Sequence, residues 1–338
     1  MSYQDRINAG LDRAYAAAPV VPIELRQLRL VIVSDLHRGA GDDADDFRFS
    51  QHALATALDH YQRTGWMLAV LGDAEELWEC EPAEVVAEYR PSLRLEKPFL
   101  DVGRYFRFAG NHDEDWGSAA LVEQYLEPIL GRVGILQALR LEVMGQQRRL
   151  GELFFVHGHQ GTLLGDLYAW MSEAVLPVLW RPVQRLFNIK TTTPATDWRL
   201  GRKHELAMYN WAVARRGLIV ISGHTHHPVF PTSERYEQLS ATYDDLRHQP
   251  EAYGSEELER LEADLAYAAD VEQPCYFNTG CCSFSDGSLT AIEIAGGQIR
   301  LVRWRRPEVK PMRQVLASAR LKQVLSEVAL AGQPVPPS

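Results

Sequence analysis

"GLIVISGHTHHP" (217–228) is the stretch that decides how this chain is read. An uncharged, β-branched run ends at Ser222 and gives way to a glycine and three histidines within four positions. A short apolar run closed by a turn signal reads as a buried strand. The same pattern recurs in "LRLVIVSDLH" (28–37), "WMLAVLGDAEE" (66–76), "YFRFAGNHDED" (105–115), "ELFFVHGHQG" (152–161) and "CYFNTGCC" (275–282). Each time a strand runs into a small polar cluster. Helical patterns at 47–63 and 118–130 separate the early strands, and residues 3–17 read as a short helix before Pro19 and Pro22. Strand–helix alternation predicts an α/β protein. In such sheets the ligand site gathers at the carboxyl ends of the strands. "LTAIEIAGGQIRLVRW" (289–304) reads as a hairpin about Gly296-Gly297.

Two segments break the rhythm. Residues 162–215 read as helices rich in Leu and Trp, inserted between two of the polar clusters. Residues 233–272 read as an acidic helical pair around Pro250 and Gly254. The expected organisation is one domain over 1–338, with a core of about 28–303, the two insertions, and a C-terminal helix and tail at 305–338.

The 338-residue chain is 46% hydrophobic and 24% charged, an ordinary globular composition. Its net charge of −10 argues against nucleic acid as a partner. Residues 233–272 alone carry a net −9, read as a solvated helical face, whereas 162–216 carry +4. No run reaches the length of a membrane span, and the first residues lack the apolar core of a signal peptide. Cys80, Cys275, Cys281 and Cys282 form no disulfide-like or CxxC spacing. A cytoplasmic, reducing setting is expected. The vicinal Cys281-Cys282 pair reads as packing.

The polar clusters bring Asp35, His37, Asp73, Asn111, His112, His157, His159, His224 and His226 to strand ends. Oxygen and imidazole donors without thiolate suit Zn, Mn or Fe. One four-coordinate ion needs about four ligands, so this many converging groups point to two ions sharing a carboxylate. Singly, each residue has an ordinary role: Asp35 or Asp73 as a helix cap, Asn111 as a turn residue, His157 as a structural histidine. Glu75 and Glu76 read as acids in the first turn of a helix, where they suit its dipole.

The five blocks "DLH", "GD", "GNHD", "HGH" and "GHTHHP", in this order and each after a strand, resemble the calcineurin-like metallophosphoesterase superfamily. The resemblance implies a four-layer α/β/β/α sandwich of two mixed sheets with helical insertions. It implies a phosphoric ester hydrolase acting on a phosphate ester or pyrophosphate through a hydroxide bridging two divalent ions (Mn, Fe or Zn). It places Asp35, His37, Asp73 and His226 on one ion, and Asp73, Asn111, His157 and His224 on the other. His112 takes the family's place of proton donor. Asp113 is placed to orient that imidazole, Arg38 to contact phosphate, and His159 to sit behind the ligands or touch substrate. His227, of opposite parity to His226 and held extended by Pro228, is expected to turn away. Asn278 is expected to support the last loop.

The 162–215 insertion must start and end beside the ions. Trp170, Leu176, Trp180, Leu186 and Phe187 together with Arg181, Arg185 and Lys190 suit a lid over an anionic small molecule with an apolar part. Peripheral contact with a membrane fits such a lid. An insertion there resembles the UDP-2,3-diacylglucosamine pyrophosphohydrolase branch, although that branch has Arg where this chain has His112. A cyclic-nucleotide or other phosphodiesterase is the alternative within enzymes. Outside enzymes, the alternative is a scaffold of the same fold.

Overall fold

The computed structural model describes residues 1–42, 45–162, 197–247, 255–305 and 312–330. Two mixed sheets lie at its centre. The first runs β1 (Val20–Glu24), β6 (Ala138–Gly145), β7 (Arg148–Val156), β8 (Leu218–Ser222), β10 (Tyr276–Thr279) and β9 (Pro228–Val229). The second runs β13 (Met312–Arg320), β12 (Gln298–Arg305), β11 (Leu289–Ala295), β2 (Arg29–Val33), β3 (Met67–Leu71), β4 (Tyr105–Phe108) and β5 (Ile135–Leu136). β2, β3 and β4 are parallel, as are β7, β8 and β10. The six strand ends singled out in the sequence therefore belong to these two parallel groups.

β2 shows why its sequence is apolar throughout. Leu30 and Ile32 enter a core shared with Leu153, Ile221 and Phe277 of the first sheet. Val31 and Val33 point the other way, into a second core with Phe47, Leu54 and Leu58. A strand covered on both faces needs apolar residues at both parities. Each fully buried Leu, Ile or Phe contributes roughly 1.5–3 kcal/mol.

Helix Phe47–Arg63 covers the outer face of the second sheet through Phe47, Leu54, Leu58 and Tyr61, a helical stripe. Helices Tyr3–Ala17, Trp198–Val213 and Leu321–Leu330 cover the first through Ile7, Leu11, Met208, Trp211 and Leu325. The layers are thus helix, sheet, sheet, helix. A capping box between Ser2 and Asp5 starts the first of these helices. Asp197 caps the second by accepting from the amides of Arg199 and Leu200.

Ala295 pairs with Gln298 across Gly296-Gly297, both glycines left-handed, as a tight hairpin requires. The acidic stretch forms helices Ser233–Arg247 and Ser255–Asp270. The expected C-terminal helix needs correction. Residues 312–320 form β13 on the edge of the second sheet, and only Leu321–Leu330 is helical. Alternating burial along "MRQVLASAR" fits an edge strand better than a helical stripe. Residues 163–196, which hold most of the expected lid, lie outside the described residues.

Candidate metal centre

The loops after β2, β3 and β4 hold one another by their backbones. The amide of Asp35 donates to Gly72 O at 3.1 Å, that of His37 to Asp73 O at 3.0 Å, and that of Arg38 to Ala74 O at 3.1 Å. The parallel ladder thus continues beyond the strands. His112 N donates to Asp73 Oδ1 at 2.8 Å. Across to the first sheet, Gly223 N donates to His157 O at 2.9 Å, and His224 N donates to Asp35 Oδ2 at 3.0 Å. These approaches explain two glycines of the motifs. A Cβ on Gly110 would overlap Asp73, and one on Gly223 would overlap Ser34 and Asp35.

Among the described residues, seven non-glycine residues have positive φ: Asp35, His37, Asp73, His224, His226 and the turn pair Gln146 and Gln147. The first five are all expected ligands. Left-handed backbone costs a non-glycine residue about 1–3 kcal/mol, and it persists where surrounding structure imposes it for function.

Three trios result, and two consist of expected ligands alone: Asp35, His37 and His226, and Asp73, His157 and His224; the third is His37, Glu76 and His112. Within each, donor atoms lie within 4.8 Å of one another. Asp73 Oδ2 is 3.1 Å from His157 Nε2 and 3.8 Å from His37 Nε2, so it faces both. His37 Nε2 and His226 Nε2 approach to 2.9 Å. Asn111 is buried beside them.

The trios fit cations. His157 Nδ1 donates to the Leu71 carbonyl at 2.9 Å, which leaves the Nε2 lone pair facing the Asp73 carboxylate. Two electron pairs face each other there unless a proton or a metal ion lies between them. No hydrogen bond satisfies His157 Nε2, His224 Nε2 or Asn111 Oδ1 among the described residues, and all three atoms are buried. Burial alone would lower His157. The charge of Asp73 overrides it and raises the pKa to about 10. His37 is likewise raised to about 9 against burial, by its hydrogen bond to Glu76 and the charge of Asp73. Burial would favour neutral carboxyls, yet the facing imidazoles hold Asp35 and Asp73 below the usual range. Burial, aided by neighbouring His157, keeps His224 neutral. The pocket calls for positive charge, and a bound cation would take the place of the protons that His37 and His157 otherwise hold.

His112 stands at the mouth. Its Nδ1 hydrogen-bonds Glu76 at 2.7–2.9 Å, and its ring stacks on Trp78 at 3.8 Å between centroids. Glu76 also accepts from His37 Nδ1 at 2.9 Å. It therefore joins the expected proton donor to an expected ligand, a role the first-turn reading of Glu76 missed. The counterions hold its pKa at about 2 against burial. Asp113 does not orient His112. It accepts from the amides of Asp73, Ala74 and Gly110 and so braces the loops.

Arg38 is also corrected. It is fully buried and paired with Glu75 and Glu96, out of reach of substrate. Glu75 completes this cluster with Arg107 and Trp116. His159 lies behind the second trio, 5.4 Å from the His157 ring and 3.3 Å from Glu114. His227 turns away, 3.1 Å from Arg202 and 3.4 Å from Asp264. Asn278 donates to Gly223 O at 2.6 Å and to Thr225 Oγ1 at 3.1 Å. No helix among the described residues is long and apolar enough to cross a membrane.

The family model for calcineurin-like phosphoesterases matches residues 28–228. Among solved structures, Vacuolar Protein Sorting 29 from Cryptosporidium parvum is similar at 12% identity. That match covers 87% of this chain and 98% of the other, with a TM-score of 0.33. A dimetal phosphatase from Danio rerio is similar at 10% identity, covering 86% and 99%, with a TM-score of 0.39. No curated protein matches the chain at a significant level.

Proposed function

The chain belongs to the calcineurin-like phosphoesterase family, and from that premise we propose that it hydrolyses a phosphate ester or pyrophosphate bond with two divalent ions. Asp35, His37 and His226 would hold one ion, and Asn111, His157 and His224 the other, with Asp73 facing both. Two such ions supply positive charge for the phosphoryl oxygens and a nucleophile drawn from water at neutral pH.

The chain's own residues do the rest. Asp35 and Asp73, ionised and buried, give the pocket the charge that holds cations. His112 delivers a proton to the leaving oxygen from Nε2, since Nδ1 is engaged by Glu76. Stacking on Trp78 fixes the plane of that ring. The observation that carries this reading is that, among the described residues, the non-glycine residues with left-handed backbone are five expected ligands and one hairpin turn pair.

The substrate class proposed is a phosphorylated small molecule with an apolar part, supported by the basic and aromatic composition of 162–215. His112, where the lipid A branch has Arg, favours a general phosphoesterase over that branch. Divalent Mn, Fe and Zn all suit the donor set. Free cysteines, with Cys275, Cys281 and Cys282 buried, support a reducing cytoplasmic setting.

The test is hydrolysis of bis-p-nitrophenyl phosphate and p-nitrophenyl phosphate by chelator-treated protein with and without Mn²⁺. Turnover that returns with Mn²⁺ is expected. Absence of turnover under every divalent ion tried would contradict the proposal. His112→Ala should keep its metal and lose most turnover on poor leaving groups; loss of metal would remove His112 from the donor's role.

A further inference from the structure

The histidines contributed by the first sheet sit on two loops, after β7 and after β8. Helix Trp198–Val213 reaches both. His204 Nε2 meets the carbonyl of Gly158, between His157 and His159, at 2.7 Å. A carbonyl can only accept, so Nε2 carries the hydrogen and Nδ1 carries the lone pair. Tyr3 Oη lies 2.8 Å from Nδ1 and donates to it, fixing that tautomer from the N-terminal helix. The next residue, Glu205, accepts from Thr225 Oγ1 at 2.7 Å. Thr225 lies between His224 and His226 and takes a second hydrogen bond, from Asn278. Arg202, one turn earlier, pairs with the other oxygen of Glu205 and with Asp264 of the acidic helix. His204 and Glu205 are both about 1% exposed.

Two adjacent side chains on one helix thus end on the residues that separate His157 from His159 and His224 from His226. The helix lies at the carboxyl end of the 162–215 insertion. Tyr3, which locks His204, lies before residue 28, where the family match starts.

We infer that His204 and Glu205 are positioning residues for the metal centre: the helix holds the two histidine loops at the separation at which their rings share cations. This rests on the metal-centre reading above. Outer partners that fix ligand orientation change metal affinity by about 10- to 100-fold when removed. A side chain that only supports the fold changes stability instead.

The experiment uses variants that spare the buried ion pair. Thr225→Val removes the contact to Glu205 from the loop side. Tyr3→Phe removes only the hydroxyl that fixes the His204 tautomer. Leu325→Ala is the control: it opens the core beside Gly151, at the amino end of β8 and away from the centre. Mn²⁺ binding to the full-length protein is titrated calorimetrically, and melting temperature is recorded for each variant. Thr225→Val and Tyr3→Phe are each expected to raise the Mn²⁺ Kd about tenfold. Leu325→Ala is expected to lower the melting temperature at least as much and leave Kd unchanged. Wild-type affinity in both Thr225→Val and Tyr3→Phe, or an equal loss in Leu325→Ala, overturns the inference. If the wild-type protein binds no Mn²⁺ at all, the metal-centre reading itself fails, which is a distinct result.

Discussion

The two halves of the candidate centre are built differently. On the second sheet, the loops carrying Asp35, His37, Asp73, Asn111 and His112 hold each other up. Their backbones continue the ladder of β2 and β3, and Asp113 collects three loop amides. On the first sheet, His157, His224 and His226 lean on side chains from elsewhere: His204 and Glu205 from an inserted helix, and Asn278 from β10. The first half is held mostly by backbone contacts between its loops. The second is held by side chains that can be substituted singly.

Glu76→Gln breaks the comparison most sharply on the self-supporting side. An amide keeps one acceptor oxygen and no charge, so it holds the two rings that Glu76 now serves more weakly than the carboxylate does. We expect kcat to fall about 10- to 100-fold, with the circular dichroism spectrum unchanged. Because Glu76 titrates at about 2, the loss should be equal across the neutral range. Wild-type turnover would show that the His37–Glu76–His112 bridge is incidental.

A smaller effect separates the halves by pH, measured as stability of metal-free protein. Burial lowers His204 from 6.5 to about 4. Between these values the unfolded chain binds more protons than the native one, so stability falls as pH drops from 6.5 to 4. Glu205 is held at about 2, against burial, by Arg202 and His227, compared with an ordinary 4.5. Its contribution is complete above 4.5 and is lost as pH falls toward 2. Each shift corresponds to about 3 kcal/mol. His204→Gln should flatten the first window and Glu205→Gln the second, read from urea midpoints against pH. Unchanged slopes would show that these groups titrate alike in both states.

This contrast also explains what the sequence disclosed. The residues the two trios bring together were legible because each lies in a short polar cluster that follows an apolar strand. The two-sheet sandwich was legible through the resemblance those blocks carry. Glu76 was hidden because an acid after "GD" also suits a helix start, and nothing local shows it reaching back to His37. Arg38 looked available because sequence does not reveal that Glu75 and Glu96 bury it. His204 and Glu205 were invisible inside "RKHEL", since their partners lie 46 and 20 residues away. β13 was missed because an edge strand of mixed polarity lacks a strong period.

The most direct test of the account is metal content per chain, by plasma mass spectrometry, for wild-type protein and Asp73→Asn, each loaded with Mn²⁺ and desalted. Two ions per wild-type chain are predicted, and fewer than one in the variant. kcat/KM of the variant should fall at least about 10³-fold, near 4 kcal/mol of transition-state stabilisation. An Asp73→Asn protein that keeps two ions and wild-type turnover would contradict the claim that this carboxylate joins the two halves.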